Sequence, residues 1–273
     1  MSGEGLVRVA GANSALAGVL AEQAGFNAVW ASSLEISAMR CLPDASILGM
    51  SEYLRAAADM QKALRVPVVA DCDTGFGNNL NVAHMIMEYE DAGITAVCVE
   101  DKTYPKMNSF AGTDHSLLST REFAGKIAVA KSQQRSDMFL IARTEALIAG
   151  GTVDEALRRC RAYADAGADA VLVHSKKPTN DQIVEFLGRW DVDLPVVIVP
   201  TTYHAWDAED AYKLGASVII YANHGLRTMI SSLRATYAEI LAAGQTTGLE
   251  DRIASVSEIF ALQRLDEWQR LQP

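Results

Sequence analysis

Short runs of apolar and β-branched residues recur along the whole chain, and each run is continuous rather than alternating. A continuous apolar run is typical of a strand buried on both faces, as in a parallel sheet. The sequence predicts eight such strands, at residues 6–10, 28–32, 68–71, 96–100, 139–143, 170–174, 196–200 and 218–221. The intervals between them are long enough to hold helices.

Helical patterns fill those intervals. One apolar helix face has the spacing i, i+3, i+4, i+7 and is formed by Val82, Met85, Ile86 and Tyr89. Thr152 and Glu155 have the spacing of a capping box, which predicts that a helix begins there and continues to residue 166. A glycine, suited to the left-handed end of a helix, precedes several strands, at Gly25, Gly93, Gly167 and Gly215.

Eight strands alternating with helices predict an α/β fold, a (β/α)8 barrel of the TIM type. The alternative is an open doubly wound sheet, which usually carries a G-x-G-x-x-G or Walker A loop, and the chain has neither. No linker or low-complexity stretch divides the sequence, so we expect a single domain over residues 1–273. The chain continues after the eighth strand with helices predicted near 226–242 and 256–271. The second is surplus to a barrel and lies in a C-terminal extension, residues 244–273.

Composition narrows the classes of function. The chain has 273 residues, with 24 Lys and Arg against 34 Asp and Glu, and a net charge of −10. An acidic chain without a basic run is a poor match for nucleic acid. Four cysteines occur without C-x-x-C spacing, which disfavours a zinc cage. The start of the sequence lacks a signal-peptide pattern, and no apolar run approaches the roughly 20 residues of a membrane span. We therefore expect a cytoplasmic protein with no membrane partner.

Polar residues collect where the predicted strands end, which is where a TIM-type barrel places its active site. Asp71 and Asp73 end the third strand, and Glu100 ends the fourth. Three carboxylates at one barrel mouth repel one another unless a cation lies between them. Oxygen ligands suit a hard ion, so the sequence predicts a site for Mg²⁺, with Mn²⁺ as an alternative.

Two further strand ends carry candidate chemistry. Arg143 ends the fifth strand, where a guanidinium suits a phosphoryl or carboxylate oxyanion, and a structural salt bridge is the alternative. His174 has the same placement after the sixth strand. The polar segment 100–114 is long enough to form a lid, in which Lys106 and Asn108 are placed to close over an anionic ligand.

Several motifs together resemble the phosphoenolpyruvate mutase/isocitrate lyase superfamily, and within it the branch of phosphoenolpyruvate phosphomutase and phosphonopyruvate hydrolase. The likeness covers nearly the whole chain. It is carried by residues 11–16 (GANSAL), 21–26 (AEQAGF), Pro43-Asp44, 71–78 (DCDTGFGN), 100–102 (EDK), 199–201 (VPT), 221–224 (YANH) and 255–264 (SVSEIFALQR). The resemblance implies a (β/α)8 barrel whose C-terminal helix is exchanged between subunits, in a homodimer or homotetramer.

The resemblance also implies an activity. It predicts an isomerase that interconverts phosphoenolpyruvate and phosphonopyruvate, small-molecule substrates, through a Mg²⁺-stabilised pyruvate enolate and a metaphosphate-like phosphoryl group. By resemblance Asp71 is the direct metal ligand, while Asp44, Asp73 and Glu100 hold the metal's waters. Phosphonopyruvate hydrolase, which releases pyruvate and phosphate, is the alternative. A further alternative is another enzyme of the same superfamily, namely a carboxy-phosphoenolpyruvate mutase, a 2-oxo acid decarboxylase or a lyase.

The remaining roles come from the same resemblance. The substrate is expected to contact residues of the second strand end, the lid and the fifth strand end, namely Trp30, Ser32, Ser33, Leu34, Asn108, Ser109 and Arg143. Within that set, Asn108, Arg143 and the backbone of Ser33 and Leu34 are the candidate donors to the phosphoryl oxygens. His174 is expected to support the site, and Lys106 to close the lid.

Residues at a few single positions differ between the mutase, hydrolase and lyase branches of the superfamily. The mutase pattern has asparagine at 108, where the hydrolase has threonine, and this favours the mutase. Glu35 and the phrase at 43–48 (PDASIL) are closer to the hydrolase. Ser33 replaces a glycine of the family pattern. The lyases carry a catalytic cysteine in the lid, and this chain has no cysteine between Cys98 and Cys160, which disfavours a lyase.

Overall fold

The first structural unit is a closed barrel. A computed structural model describes residues 5–112 and 115–272. Its strands are β1 Val7–Ala12, β2 Ala28–Ala31, β3 Val68–Asp71, β4 Ala96–Glu100, β5 Phe139–Thr144, β6 Ala170–Val173, β7 Val196–Ile198 and β8 Ala216–Tyr221. They pair in parallel in chain order, and β8 closes onto β1. The predicted (β/α)8 barrel is confirmed, with every strand end within two residues of its predicted place.

Helices follow the strands. They are α1 Ala15–Gln23, α2 Ser33–Ala38, α3 Met50–Ala63, α4 Asn79–Asp91, α5 Thr120–Gln133, α6 Val153–Asp165, α7 Asp181–Arg189, α8 Ala208–Lys213, α9 His224–Ala243, α10 Val256–Leu262 and α11 Leu265–Gln269. Half of the predicted capping box at α6 is present, since the Thr152 hydroxyl accepts a hydrogen bond from the Glu155 N–H at 3.2 Å, but the Glu155 carboxylate binds Arg158 and Arg159 instead of closing the box. The predicted apolar face of α4 is buried.

The strands bury side chains on both faces, as their continuous apolar runs predict. In β2, Ala28 and Trp30 belong to a cluster to which all eight strands contribute, so this cluster fills the barrel interior. Val29 and Ala31 point the other way, into the layer shared with the helices. Because all eight strands run parallel, the polar residues that follow each strand gather at the carboxyl end of the barrel.

The structure divides into two compact units, Met1–Asn223 and His224–Pro273. The predicted organisation, one barrel domain with an extension over 244–273, stays a prediction, as does exchange of the C-terminal helix. The single helix predicted over 256–271 is wrong. It is two helices, α10 and α11, because Arg264 adopts a left-handed backbone conformation (φ 55°) that interrupts the helical hydrogen bonding.

Some predictions fall on residues outside the described part. Thr113 and Asp114, at the end of the predicted lid, and the first four residues of the chain lie outside it. Within residues 5–112 and 115–272, none of the helices is long and apolar enough to cross a membrane.

Two glycines test how tightly the barrel is packed. A methyl group at Gly11, in β1, would overlap the carbonyl oxygen of Ala222, whereas one at Gly125, in the middle of α5, would meet nothing within 4 Å. We expect Gly11→Ala to lower the free energy of unfolding by at least about 3 kcal/mol, because backbone must move. Gly125→Ala should raise it by about 0.5–1 kcal/mol, because alanine favours the helix. Urea unfolding followed by circular dichroism measures both, and equal effects would contradict the packing described.

Candidate active site

A cavity opens at the carboxyl ends of the strands, as the fold predicts. It is lined by Trp30, Ser32, Ser33, Leu34, Asp44, Asp71, Lys106, Asn108, Ser109, Phe110, Arg143, His174, Val199, Thr201, Ala222 and Asn223. The structure therefore brings together eleven of the thirteen predicted site residues around one space. The other two, Asp73 and Glu100, are buried with 2% and 3% of their surface exposed.

The start of α2 builds one wall. Ser32 caps this helix, its hydroxyl accepting a hydrogen bond from the Glu35 N–H at 3.3 Å. Ser33 follows, and both of its donors reach Oδ2 of Asp71, the hydroxyl at 2.8 Å and the N–H at 3.3 Å. The N–H of Ser33, a predicted donor to the phosphoryl group, is thus directed at a carboxylate here.

Lys106 lies among the carboxylates. Its ammonium is 2.6 Å from Oδ1 of Asp44 and 3.0 Å from Oδ1 of Asp73. The other oxygen of Asp44 accepts a hydrogen bond from Asn108 Nδ2 at 2.7 Å. The lid backbone is held as well, because the Lys106 N–H donates to Ser46 Oγ at 2.9 Å. The lid therefore docks on Asp44 through Lys106 and Asn108, and the predicted closure of these two side chains over an anionic ligand stays a prediction.

Burial and mutual repulsion shift these carboxyl groups. Burial raises the pKa of Asp73 to about 7; Lys106 opposes this shift, and Asp71, Asp44 and Glu100 add to it. Burial likewise raises the pKa of Glu100, and Lys102 opposes it. Burial would also raise the pKa of Asp44, but the adjacent Lys106 holds it below its usual range. The positive charge near these carboxyl groups is too small to keep all of them ionised.

The carboxylates suit a hard cation by their chemistry. Both oxygens of Asp73 and Oε1 of Glu100 are buried and accept no hydrogen bond from the described residues. Among residues 5–112 and 115–272, no group of three His, Cys, Asp or Glu side chains is already arranged as a ligand set. Lys106 occupies the space between two of the carboxylates instead. Asp44, Asp71, Asp73 and Glu100 stay the predicted metal-holding residues.

A second charged group surrounds Ser109. Its hydroxyl accepts hydrogen bonds from Lys102 Nζ at 2.7 Å and from Arg143 Nη2 at 3.1 Å, and it donates to Glu145. Arg143 also lies 2.6 Å from Glu145 and 3.3 Å from Glu100. The lid is thus anchored to β5 as well as to Asp44.

These ion pairs keep both partners charged. Burial opposes the charge of Arg143, but Glu145 and Glu100 outweigh it and raise the pKa of the guanidinium. Burial also opposes ionisation of Glu145, and Arg143 with Lys102 lowers its pKa well below the usual range. Arg143 forms the ion pairs of the structural alternative and also lines the cavity, and its binding of an oxyanion stays a prediction.

His174 is a neutral imidazole at physiological pH. Burial lowers its pKa to about 4, although Glu145 pulls in the other direction. Its ring meets Phe110 edge to face, with 5.5 Å between the ring centres. Nδ1 forms no hydrogen bond within the described residues. A neutral ring nitrogen at the cavity wall is suited to a supporting hydrogen bond, not to carrying charge.

A buried support lies beneath the fifth strand end. Asp101 is fully buried and accepts hydrogen bonds from the Glu145 N–H and Thr144 Oγ1, both at 2.8 Å, from Tyr163 Oη at 2.7 Å and from Arg159 Nη1 at 3.2 Å. This network fixes the backbone that carries Arg143.

Sequence reasoning missed several residues of the site. Glu145 and Lys102 were assigned no role, yet they set the charge around Ser109. Phe110 and Asn223 line the cavity without having been predicted. Glu145, Lys102 and Asn223 could have been found from the sequence, because each is a polar residue one or two positions after a strand. Their partners could not be inferred, because those contacts join distant parts of the chain.

Comparison with known proteins assigns the chain to a family. A sequence model described as phosphoenolpyruvate phosphomutase matches residues 3–241. The chain belongs to the phosphoenolpyruvate phosphomutase family. It is 42% identical to the phosphonopyruvate hydrolase of Variovorax sp. (strain Pal2) over 256 residues, covering 92% of this chain and 88% of that protein.

Solved structures of the family agree with the fold. The phosphoenolpyruvate phosphomutase of Streptomyces platensis subsp. rosaceus has a TM-score of 0.97 and 52% identity, covering 98% of this chain and 94% of that one. A phosphonopyruvate hydrolase in complex with oxalate and Mg²⁺ has a TM-score of 0.91 and 40% identity, covering 97% and 93%. The chain is an enzyme of this family, and both branches of the family resemble it over nearly its full length.

Glu35 is an unexpected buried acid near this site. It lies in α2, with its side chain fully buried; Oε2 accepts a long hydrogen bond, 3.4 Å, from Asn13, and Oε1 accepts none from the described residues. Burial raises the pKa of Glu35 from 4.5 to about 7, with Asn13 opposing. The folded protein therefore binds this proton more tightly than the unfolded chain does.

This difference makes stability depend on pH. The contribution of Glu35 is fully present below pH 4.5 and is lost as the pH rises through about 7. Glu35→Gln, which stays neutral, should gain about 3 kcal/mol over the wild type between pH 4.5 and pH 8, measured by urea unfolding at both values. Glu250→Gln, at an exposed position, is the control. A Glu35→Gln difference that does not change with pH would show that Glu35 is not held protonated.

Proposed function

We propose that the protein is a phosphoenolpyruvate phosphomutase, an isomerase that interconverts phosphoenolpyruvate and phosphonopyruvate. The observation that carries the proposal is the docking of Asn108 on Asp44 at 2.7 Å, at the wall of the cavity. The family resemblance gives asparagine at this position in the mutase and threonine in the hydrolase. The 52% identity to a phosphomutase of solved structure supports the same choice.

The reaction breaks the bond between phosphorus and either the enol oxygen or C3, and it forms the other bond. The electrons of the broken bond pass to the pyruvate enolate, while the phosphoryl group is metaphosphate-like. When bound, Mg²⁺ would supply positive charge that stabilises this enolate. We assign the metal to Asp71, with Asp44, Asp73 and Glu100 holding its waters, and Mn²⁺ is an alternative ion.

The protein's own groups hold the two halves of the substrate. Arg143 and Asn108 donate hydrogen bonds to the phosphoryl oxygens, and fixed donors of this kind stabilise charge as it develops. Lys106 and Ser109 hold the lid against the barrel, which excludes water. The neutral His174 lines the same cavity, and its Nδ1 is available to accept a hydrogen bond.

The remaining predicted contacts complete the cavity. Trp30 and Leu34 cover the enolate with apolar surface. Ser32 and the backbone near Ser33 form the end of α2 that faces the substrate. The predicted homodimer or homotetramer and the predicted cytoplasmic location belong to the same proposal, and no contact with nucleic acid or a membrane is part of it.

The second candidate is phosphonopyruvate hydrolase, in which water takes the phosphoryl group. Two observations favour it: the 42% identity to the Variovorax hydrolase, and Glu35, a residue closer to the hydrolase pattern and buried beside the site. A carboxy-phosphoenolpyruvate mutase or 2-oxo acid decarboxylase is a further member of the same superfamily, and the serine at 33 is the observation that favours it.

Phosphorus NMR of purified protein with phosphonopyruvate and Mg²⁺ separates the candidates, with EDTA as the control. We expect the phosphoenolpyruvate signal to grow and to stop growing when EDTA is added. Growth of inorganic phosphate alone would make the protein the hydrolase. No turnover of phosphonopyruvate would reject both activities and direct attention to other 2-oxo acids.

Asn108 is the residue that the proposal depends on most. Asn108→Ala should lower the kcat for phosphoenolpyruvate formation about 100-fold, because a fixed donor to the phosphoryl group is lost. The fraction of phosphonopyruvate converted to phosphate should rise as water gains access. Met107→Ala is the matched control, since this neighbouring side chain is exposed. A kcat within twofold of the wild type for Asn108→Ala would remove Asn108 from this role.

A further inference from the structure

Ser33 makes an unusual contact for a residue at the start of a helix. It is the first residue of α2, it is 1% exposed, and its hydroxyl donates to Oδ2 of Asp71 at 2.8 Å. Its own N–H reaches the same oxygen at 3.3 Å. Two donors of one residue thus converge on one carboxylate oxygen that lies 38 positions away in the sequence.

The two oxygens of Asp71 differ in consequence. Oδ2 receives both donors of Ser33, whereas Oδ1 accepts, from the residues that the structure describes, only a long contact, 3.4 Å, from the Asp73 N–H. The hydroxyl of Ser33 forms the shortest of these hydrogen bonds. A carboxylate otherwise rotates freely about its Cβ–Cγ bond, so a strong donor on one side selects which oxygen stays available.

We propose that the Ser33 hydroxyl is a positioning group that orients the Asp71 carboxylate for a divalent cation. This inference rests on the metal assignment of the proposed function and deepens it. A hydrogen bond to a metal-ligating carboxylate fixes its orientation before the ion arrives, and removal of such an outer partner typically weakens metal binding 10–100-fold. The same hydroxyl, while it donates to Asp71, has no proton left for a substrate oxygen.

Ser37 provides a matched control on the same helix. It is also fully buried, and its hydroxyl also forms one short hydrogen bond, 2.9 Å to Tyr53 Oη. Its partner is a phenol and not a carboxylate. Removing either hydroxyl removes one buried oxygen and its hydrogen bond, but only the change at Ser33 removes a hydrogen bond from a predicted metal ligand.

The test measures metal affinity without turnover. Metal-free, full-length protein is titrated with Mn²⁺, and free Mn²⁺ is followed by electron paramagnetic resonance. We expect Ser33→Ala to raise the Kd for Mn²⁺ at least tenfold and Ser37→Ala to change it less than twofold. Asp71→Ala should show the weakest binding and marks the lower limit of the assay. Thermal unfolding of each metal-free variant separates a loss of affinity from a loss of fold.

The outcomes are decisive. A Kd for Ser33→Ala within twofold of the wild type overturns the inference, and so does an equal weakening in Ser33→Ala and Ser37→Ala. If Ser33→Ala does not fold, Ser33→Cys keeps the volume but has only a weak donor, and it should weaken Mn²⁺ binding in the same direction. Failure of wild-type protein to bind Mn²⁺ contradicts the metal assignment itself. Normal wild-type binding with an unchanged Ser33→Ala contradicts only the role of Ser33.

Discussion

Charge balance at the mouth of the barrel is the constraint on which the rest of the site depends. Asp44, Asp73 and Glu100 are buried together; burial raises the pKa of Asp73 and of Glu100, whereas the adjacent Lys106 holds the pKa of Asp44 below its usual range. Lys106 compensates two of them directly. Because that ammonium is carried by the lid, a lid that leaves the barrel also removes positive charge from the cluster. Lid position and cation binding therefore act on the same carboxylates.

The site separates into two charged groups with different tasks. The carboxylates near Lys106 are short of positive charge, which suits recruitment of a cation. In the group around Ser109 the charges balance, since Arg143 and Lys102 face Glu145 and Glu100. Glu100 is shared by the two groups, because its charge also acts on Asp73. Ion pairs whose charges balance keep these side chains in place even when no ligand is bound. Ser109 belongs to the lid, so the same balanced group also fixes the closed lid against β5.

Much of this architecture follows from the sequence because the underlying rules are local. Strands buried on both faces have continuous apolar runs, and residues after strands of a parallel barrel share one end, so Asp71, Glu100 and Arg143 could be grouped by position. Contacts between side chains that are distant in sequence could not be predicted in this way. The approach of Lys106 to Asp44 joins positions 62 apart, and the break at Arg264 follows from one backbone conformation without a composition signal.

The choice between phosphoryl transfer within the substrate and transfer to water rests on very few atoms. Both proposed reactions break the bond between carbon and phosphorus and leave a pyruvate enolate, so the roles proposed for the carboxylates and Arg143 are the same in either one. Similarity along the whole chain therefore supports both reactions, and relatives of both kinds match, at 42% and 52% identity. What differs is whether a water reaches the phosphorus while the bond is broken. Under the proposed function, that is decided where the lid meets the cavity, at Lys106, Asn108 and Ser109, and the docking of all three on buried partners favours the closed, water-excluding alternative.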